Sequence, residues 1–130
     1  MTADTLAIVS AAALMWQTLL LIPMIPGKLI DTRDFSALPR WQYNGFNVFL
    51  TLLGMGSLAT VAWLVAAPVT AAFTATAVLA GCYLSVFFAD LMGVFPVVTD
   101  PPPTQLLVLE GISLASAGVL GVLAVSAVMG

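Results

Sequence analysis

The chain has 130 residues, 62% of them hydrophobic and 7% charged, with three Lys/Arg, six Asp/Glu and no His. A soluble globular domain has about a quarter of its residues charged, so a water-facing fold is excluded, and three basic residues exclude the clustered Lys/Arg of a nucleic-acid partner. The missing His removes the commonest metal ligand and general base, and a lone Cys82 excludes an intrachain disulfide and a zinc site.

A membrane-crossing helix needs about 20 mainly apolar residues, and four stretches qualify. The first covers about 5–25, is uncharged, carries Gln17 and Thr18, and ends at Pro23, Pro26 and Gly27. Only Asp4 precedes it as a charge, so it reads as a retained span rather than a cleaved signal peptide. The connection that follows carries all the basic residues, Lys28, Arg33 and Arg40. The positive-inside rule places this loop in the cytoplasm. Both termini and the Pro68 turn are then outside, and the plasma (inner) membrane is the expected location. Ser36 is the expected cap of the next helix, Leu38 and Pro39 mark its start, and Trp41 and Tyr43 fall at headgroup level.

The second span covers about 44–67 and stops at Pro68. The third covers about 71–95, with Asp90 near its end. Thr99 to Thr104 form a loop, because Pro101, Pro102 and Pro103 cannot continue a helix. The fourth covers about 106–129, with Glu110 near its start. Its Gly111, Ala115 and Gly118 suit close helix packing, although Ala and Gly are common in any membrane helix. The expected fold class is all-α, an integral membrane four-helix transmembrane bundle forming one transmembrane domain over 1–130, with the lipid bilayer as its surroundings.

Candidate chemistry collects at the cytoplasmic side. Arg40, Asn44, Asn47, Thr51 and Gly54 recur at helical spacing and form one polar stripe on the second helix. An unpaired amide in hydrocarbon costs several kcal/mol, roughly, so this face must meet water or other helices. It reads either as a polar cavity open to the cytoplasmic side or as hydrogen-bonding glue between helices. Asp90 and Glu110 flank the Pro-rich loop at similar depth, where Arg33 or Arg40 could pair with them. One reading is a ligand-binding site of Arg40, Asn44, Asn47, Asp90 and Glu110. The other leaves both acids interfacial, with Glu110 favoured by a helix N-terminus. No metal site and no catalytic residue is identifiable.

The order of elements and the segment RWQYNGFN resemble the MAPEG superfamily, membrane-associated proteins in eicosanoid and glutathione metabolism. That family places an Arg, then Asn four residues on, then Glu three further; Arg40, Asn44 and Asn47 stand here. The resemblance implies a homotrimer, glutathione bound near the cytoplasmic helix ends, and a glutathione-transferase-like enzyme. Departures from the pattern are Asn47 for the acid, Asp90 and Val97 where an Arg and a Tyr stand, and Thr104 and Gln105 in place of further Arg residues. Glutathione is anionic and needs cations, so these departures argue against it as the ligand, and the residues themselves imply no cofactor.

The leading expectation is a divergent MAPEG-like protein that binds a lipophilic or amphipathic small molecule near the cytoplasmic face. Arg40 would hold an anionic group, Asn44 would orient it, and Asn47, Asp90 and Glu110 would line the site. The alternatives are a non-enzymatic accessory subunit among other membrane subunits and a small proton-coupled transporter using Asp90 or Glu110.

Overall fold

The computed structural model describes residues 2–26, 31, 33–36, 38–96 and 101–130. Lys28, Val97, Thr99 and Asp100, which figure in the sequence reading, lie outside the described residues.

Among the described residues there are four α-helices: α1 (Ala3–Leu21), α2 (Arg40–Ala66), α3 (Thr70–Leu91) and α4 (Thr104–Met129). Each is long and apolar enough to cross a membrane. At 1.5 Å per residue, even the shortest matches a hydrocarbon core of about 30 Å. The protein is therefore an integral membrane protein of the all-α, four-helix class.

Proline sets most boundaries. Pro23 converts the end of α1 into a single 3-10 turn, Ile22–Met24. Pro39 caps α2 from the backbone alone, and Pro103 does the same for α4. Ala67, forced extended by the following Pro68, ends α2 at φ −151° and ψ 102°. The Thr2 hydroxyl accepts the Thr5 N–H and caps α1. Ser36 is not the α2 cap as expected; the helix starts at Arg40, because Pro39 lacks an N–H and suits a helix entrance. α3 also ends earlier than its apolar run. Gly93 sits at φ +71°, the Val94 N–H reaches the Ala89 carbonyl at 2.9 Å, and the Gly93 N–H reaches Asp90 at 3.0 Å. That Schellman pair closes the helix.

The helices run up-down-up-down. α1 packs along α2 and α4, α3 packs along α4 and α2, and the diagonals meet little. The inner face of α4 shows why: Leu106, Glu110, Ser113, Ala117, Leu120 and Ala124 are all buried, at alternating steps of four and three. Small residues bring α3 and α4 close, with Ala80 and Ala117 buried and a Cβ on Gly121 meeting Ala80 at 3.7 Å. The anticipated stripe of Gly111, Ala115 and Gly118 does not make this contact. Nothing lies within 4 Å of a Cβ built on Gly111 or Gly118, so that stripe turns away from the core. Outward faces carry Ile8, Trp16, Leu52, Val65 and Val122, apolar side chains in the place where lipid is the solvent.

Several polar groups between helices are paired locally or across one interface, whereas the buried Ser10 Oγ, Gln17 Oε1 and Ser113 Oγ have no partner among the described residues. Thr18, Ser57, Thr60 and Thr76 return their hydroxyls to the carbonyl four residues back. Ser57 and Tyr83 share a 2.7 Å hydrogen bond between α2 and α3. Between α1 and α4, Gln17 Nε2 donates to the Ser113 carbonyl at 3.0 Å and Trp16 Nε1 donates to Ser116 at 3.1 Å. An even number of crossings leaves both termini at one end and the charged connection at the other.

A charge-clamped loop and the cavity beside it

The described residues of the connection between α1 and α2 pack against the bundle, with Arg33 bonded to Asp90 of α3. They alternate: Asp31, Arg33 and Phe35 are buried, while Asp34 and Ser36 are exposed. An extended chain has a period of two, so one side of the segment plugs the helix ends and the other faces out.

Arg33 is the fastener. Its Nε donates to Asp31 Oδ1 at 2.8 Å and its Nη2 to Asp31 Oδ2 at 2.7 Å. The same guanidinium donates to both oxygens of Asp90 on α3, at 3.0 and 3.1 Å. The Phe35 ring stands 5.2 Å from the guanidinium carbon. Burial opposes the charge of Arg33, but the hydrogen bonds and fields of Asp31 and Asp90 outweigh it and push the pKa above its ordinary value. A raised cationic pKa keeps its contribution at every pH below the ordinary Arg value, so the clamp does not release through loss of the Arg33 charge in the neutral range. Asp90 gains as well. In the last turn of α3 its carboxylate faces the negative end of the helix dipole, and Arg33 supplies the compensating charge. Glu110 of α4, only 2% exposed, stands against Asp90 on the inner side. One guanidinium therefore faces three carboxyl groups among the described residues.

On the outer side of the clamp lies a cavity of about 460 Å³. The loop supplies Arg33, Asp34, Phe35, Ser36 and Leu38, and the first turns of α2 supply Arg40, Tyr43 and Asn44. The Tyr43 hydroxyl donates to the Pro26 carbonyl at 2.9 Å, and its ring stands 5.5 Å from that of Phe35. These contacts fix the inner wall. Arg40 and Asn44 are exposed and form the mouth. Arg40 makes no ion pair among the described residues, whereas three nitrogens of Arg33 are already bonded to Asp31 and Asp90. Among the described residues, Arg40 is thus the cation that a ligand would meet. α2 adds its own N-terminus, where the Pro39 side chain offers no capping bond; the Gln42 and Tyr43 N–H groups bond the Pro39 carbonyl, and the positive end of the dipole lies at the turn that carries Arg40. Beyond Asn44, the exposed Val48, Leu52 and Met55 continue down the outer face of α2 at helical spacing.

The five residues read from sequence as one site occupy three places. Arg40 and Asn44 line the cavity. Asp90 is on the far side of Arg33 and touches the cavity only through it, and Glu110 lies behind Asp90. Asn47 sits one turn past Asn44, half-buried and outside the lining residues, with its Oδ1 unpartnered. The partner of Asp90 is Arg33, not Arg40. Sequence reasoning did not single out Asp31 or Asp34. The sequence carries no signal for them, because Asp31 to Phe35 shows no apolar–polar alternation and the buried positions Asp31 and Arg33 are themselves charged. No group of three potential metal ligands is present among the described residues.

The family described as "Domain of unknown function (DUF8051)" matches residues 6–129, nearly the whole chain, and the chain belongs to it. No curated protein and no solved structure matches the chain.

Proposed function

For this member of the DUF8051 family, we propose that the cavity at the loop end of α2 binds an amphipathic small molecule, with Arg40 holding its anionic group and Asn44 orienting it. The observation that carries this reading is the cavity itself, which joins a guanidinium without an ion pair among the described residues and the positive end of the α2 dipole to an apolar, lipid-facing strip. A headgroup fits the cavity and a chain fits the strip. With the basic loop taken as cytoplasmic, the ligand enters from the inner leaflet. The Arg40–Asn44 spacing and the element order are what the chain shares with MAPEG proteins, and we read it as a divergent relative of that type. We assign binding and no reaction, because the donors of Arg33 are taken and a second free cation for a glutathione thiolate is lacking among the described residues.

A second reading, helix-helix association with a second copy or another membrane subunit, draws on a different feature. A shallow groove of about 430 Å³ on the outer face of α3 and α4 is lined by Ala77, Gly81, Gly118 and Gly121, small residues of the kind that admit a neighbouring helix. A homotrimer is one assembly of this kind.

The test uses Trp41, exposed beside Arg40. Brominated dodecyl phosphate should quench its fluorescence saturably in the purified protein, and Trp41→Phe should remove that signal. Arg40→Ala should weaken the binding about tenfold or more, the worth of one charge-assisted hydrogen bond, with unchanged thermal unfolding. Quenching of equal affinity in Arg40→Ala would contradict the proposal.

A further inference from the structure

A column of polar side chains runs through the interior of the bundle. On α3, Asp90, Tyr83 and Thr76 stand seven residues apart on one face, and Tyr83 and Thr76 are fully buried. α1 adds the buried Gln17 and Ser10, also seven apart, and α4 adds the buried Glu110 and Ser113. Contacts between helices set their order: Glu110 faces Asp90, Gln17 bonds the Ser113 carbonyl, and the Tyr83 hydroxyl meets Ser57 of α2. The column therefore descends from the carboxyl pair through Ser113 with Gln17, Tyr83 with Ser57, and Ser10 to Thr76. At the rise of an α-helix these levels lie at depths of about 0, 4.5, 10.5, 15 and 21 Å. Steps of roughly 5 Å match the reach of one water hydrogen-bonded at both ends.

The column also has open hydrogen-bonding capacity. The hydroxyls of Ser57 and Thr76 are taken by the carbonyl one turn back, but Ser10 Oγ, Ser113 Oγ and Gln17 Oε1 have no partner among the described residues. Such atoms are costly in a dry interior, and buried water satisfies them where polar groups cluster. The carboxyl pair supplies a proton. Arg33 is spent on Asp31 and on both oxygens of Asp90. The charged groups around Glu110 are Asp90 of α3 and Arg33 and Asp31 of the loop. α1 offers the uncharged Gln17, and Arg40 and Tyr43 of α2 line the outer cavity instead. Two ionised carboxyl groups facing each other repel, so Asp90 and Glu110 share one proton. The Asp90 side chain, 10% exposed, is the edge of the pair toward the loop end.

From this column and its unpartnered atoms, we propose that the bundle conducts protons, with Glu110 as the carrier at the loop end and buried waters beside Ser113, Gln17, Tyr83 and Ser10 as the relay. This activity does not draw on the outer cavity. A proton enters at Asp90 and is held by Glu110. Glu110 passes it to a water held by Ser113 Oγ and Gln17 Oε1 and regains a proton through Asp90 from the loop side. Each water or hydroxyl further along accepts one proton and releases another, so the protein ends each passage unchanged. The transfer runs down the proton gradient of the membrane and consumes nothing else. Past Thr76, the cluster of Ala7, Ala11, Leu64, Ala72 and Phe73 closes the column toward the termini. Phe73 is the bulkiest of these, and an apolar constriction of this kind limits the rate.

The experiment is proton flux into proteoliposomes of the full chain that enclose a pH-sensitive dye. A potassium potential set with valinomycin drives protons inward. The wild-type protein should acidify the interior faster than protein-free vesicles do. Glu110→Gln, nearly the same shape without the carboxyl proton, should cut the protein-dependent rate by about tenfold or more. Ser113→Ala, which removes one hydroxyl and leaves the packing, should slow it as well. Phe73→Ala should raise the rate by opening the constriction. Thermal unfolding in detergent checks that each variant is folded. Acidification by the wild-type protein no faster than in protein-free vesicles would overturn the proposal. A protein-dependent rate unchanged by both Glu110→Gln and Ser113→Ala would overturn it too, because the protons would then bypass the column.

Discussion

Arg33 ties the loop to itself through Asp31 and to α3 through Asp90 with one side chain. Breaking a buried ion pair on one side strands the other charge and costs about 3–5 kcal/mol. Arg33→Met and Asp90→Asn should therefore each lower the unfolding free energy by that order in a denaturant titration in detergent. The double variant should lose less than the sum of the two, because no buried charge of the pair is left alone. Additive losses would show that the pair is not coupled. Arg33 and Asp90 were legible as possible partners, because both fall at the same end of the expected spans. Asp31 was not, because it lies in a connection where helical spacing says nothing.

At the scale of the element, the termination of α3 positions Asp90. The positive φ of Gly93 closes the helix directly after the last turn that carries the acid. A Cβ at Gly93 has room, with nothing within 4 Å, so Gly93→Ala would report backbone strain and little else. It should cost about 1–2 kcal/mol, read as a lower midpoint in the same titration; an unchanged midpoint would remove the Schellman closure from the account. The sequence pattern located all four apolar spans but placed the end of α3 at Phe95, because Val94 and Phe95 extend the apolar run and hydropathy is blind to a left-handed glycine. The polar stripe on α2 was read as one face, and its members differ in setting. Arg40 and Asn44 open to the cavity, Thr51 satisfies itself on the Asn47 carbonyl at 2.8 Å, and Gly54 lies against Leu21.

For the whole molecule, the class was legible because 62% hydrophobic residues in four uncharged or nearly uncharged runs leave few other ways to satisfy a backbone in lipid. The grouping of the candidate residues was less legible. Similar depth along helices placed Arg40, Asn44, Asn47, Asp90 and Glu110 together, but depth does not say which side of the loop each occupies. The loop divides them, with the acids inside, Arg40 and Asn44 outside at the cavity, and Asn47 half-buried away from its lining. The account stands on that outer cavity as the place where an amphiphile sits, and photolabelling tests this most directly. An alkyl phosphate with a diazirine in its chain should label α2 at Val48, Leu52 or Met55 when the protein is irradiated in nanodiscs, and Arg40→Ala should abolish that labelling. Labels spread evenly over the exposed faces of all four helices, unchanged by Arg40→Ala, would contradict the account.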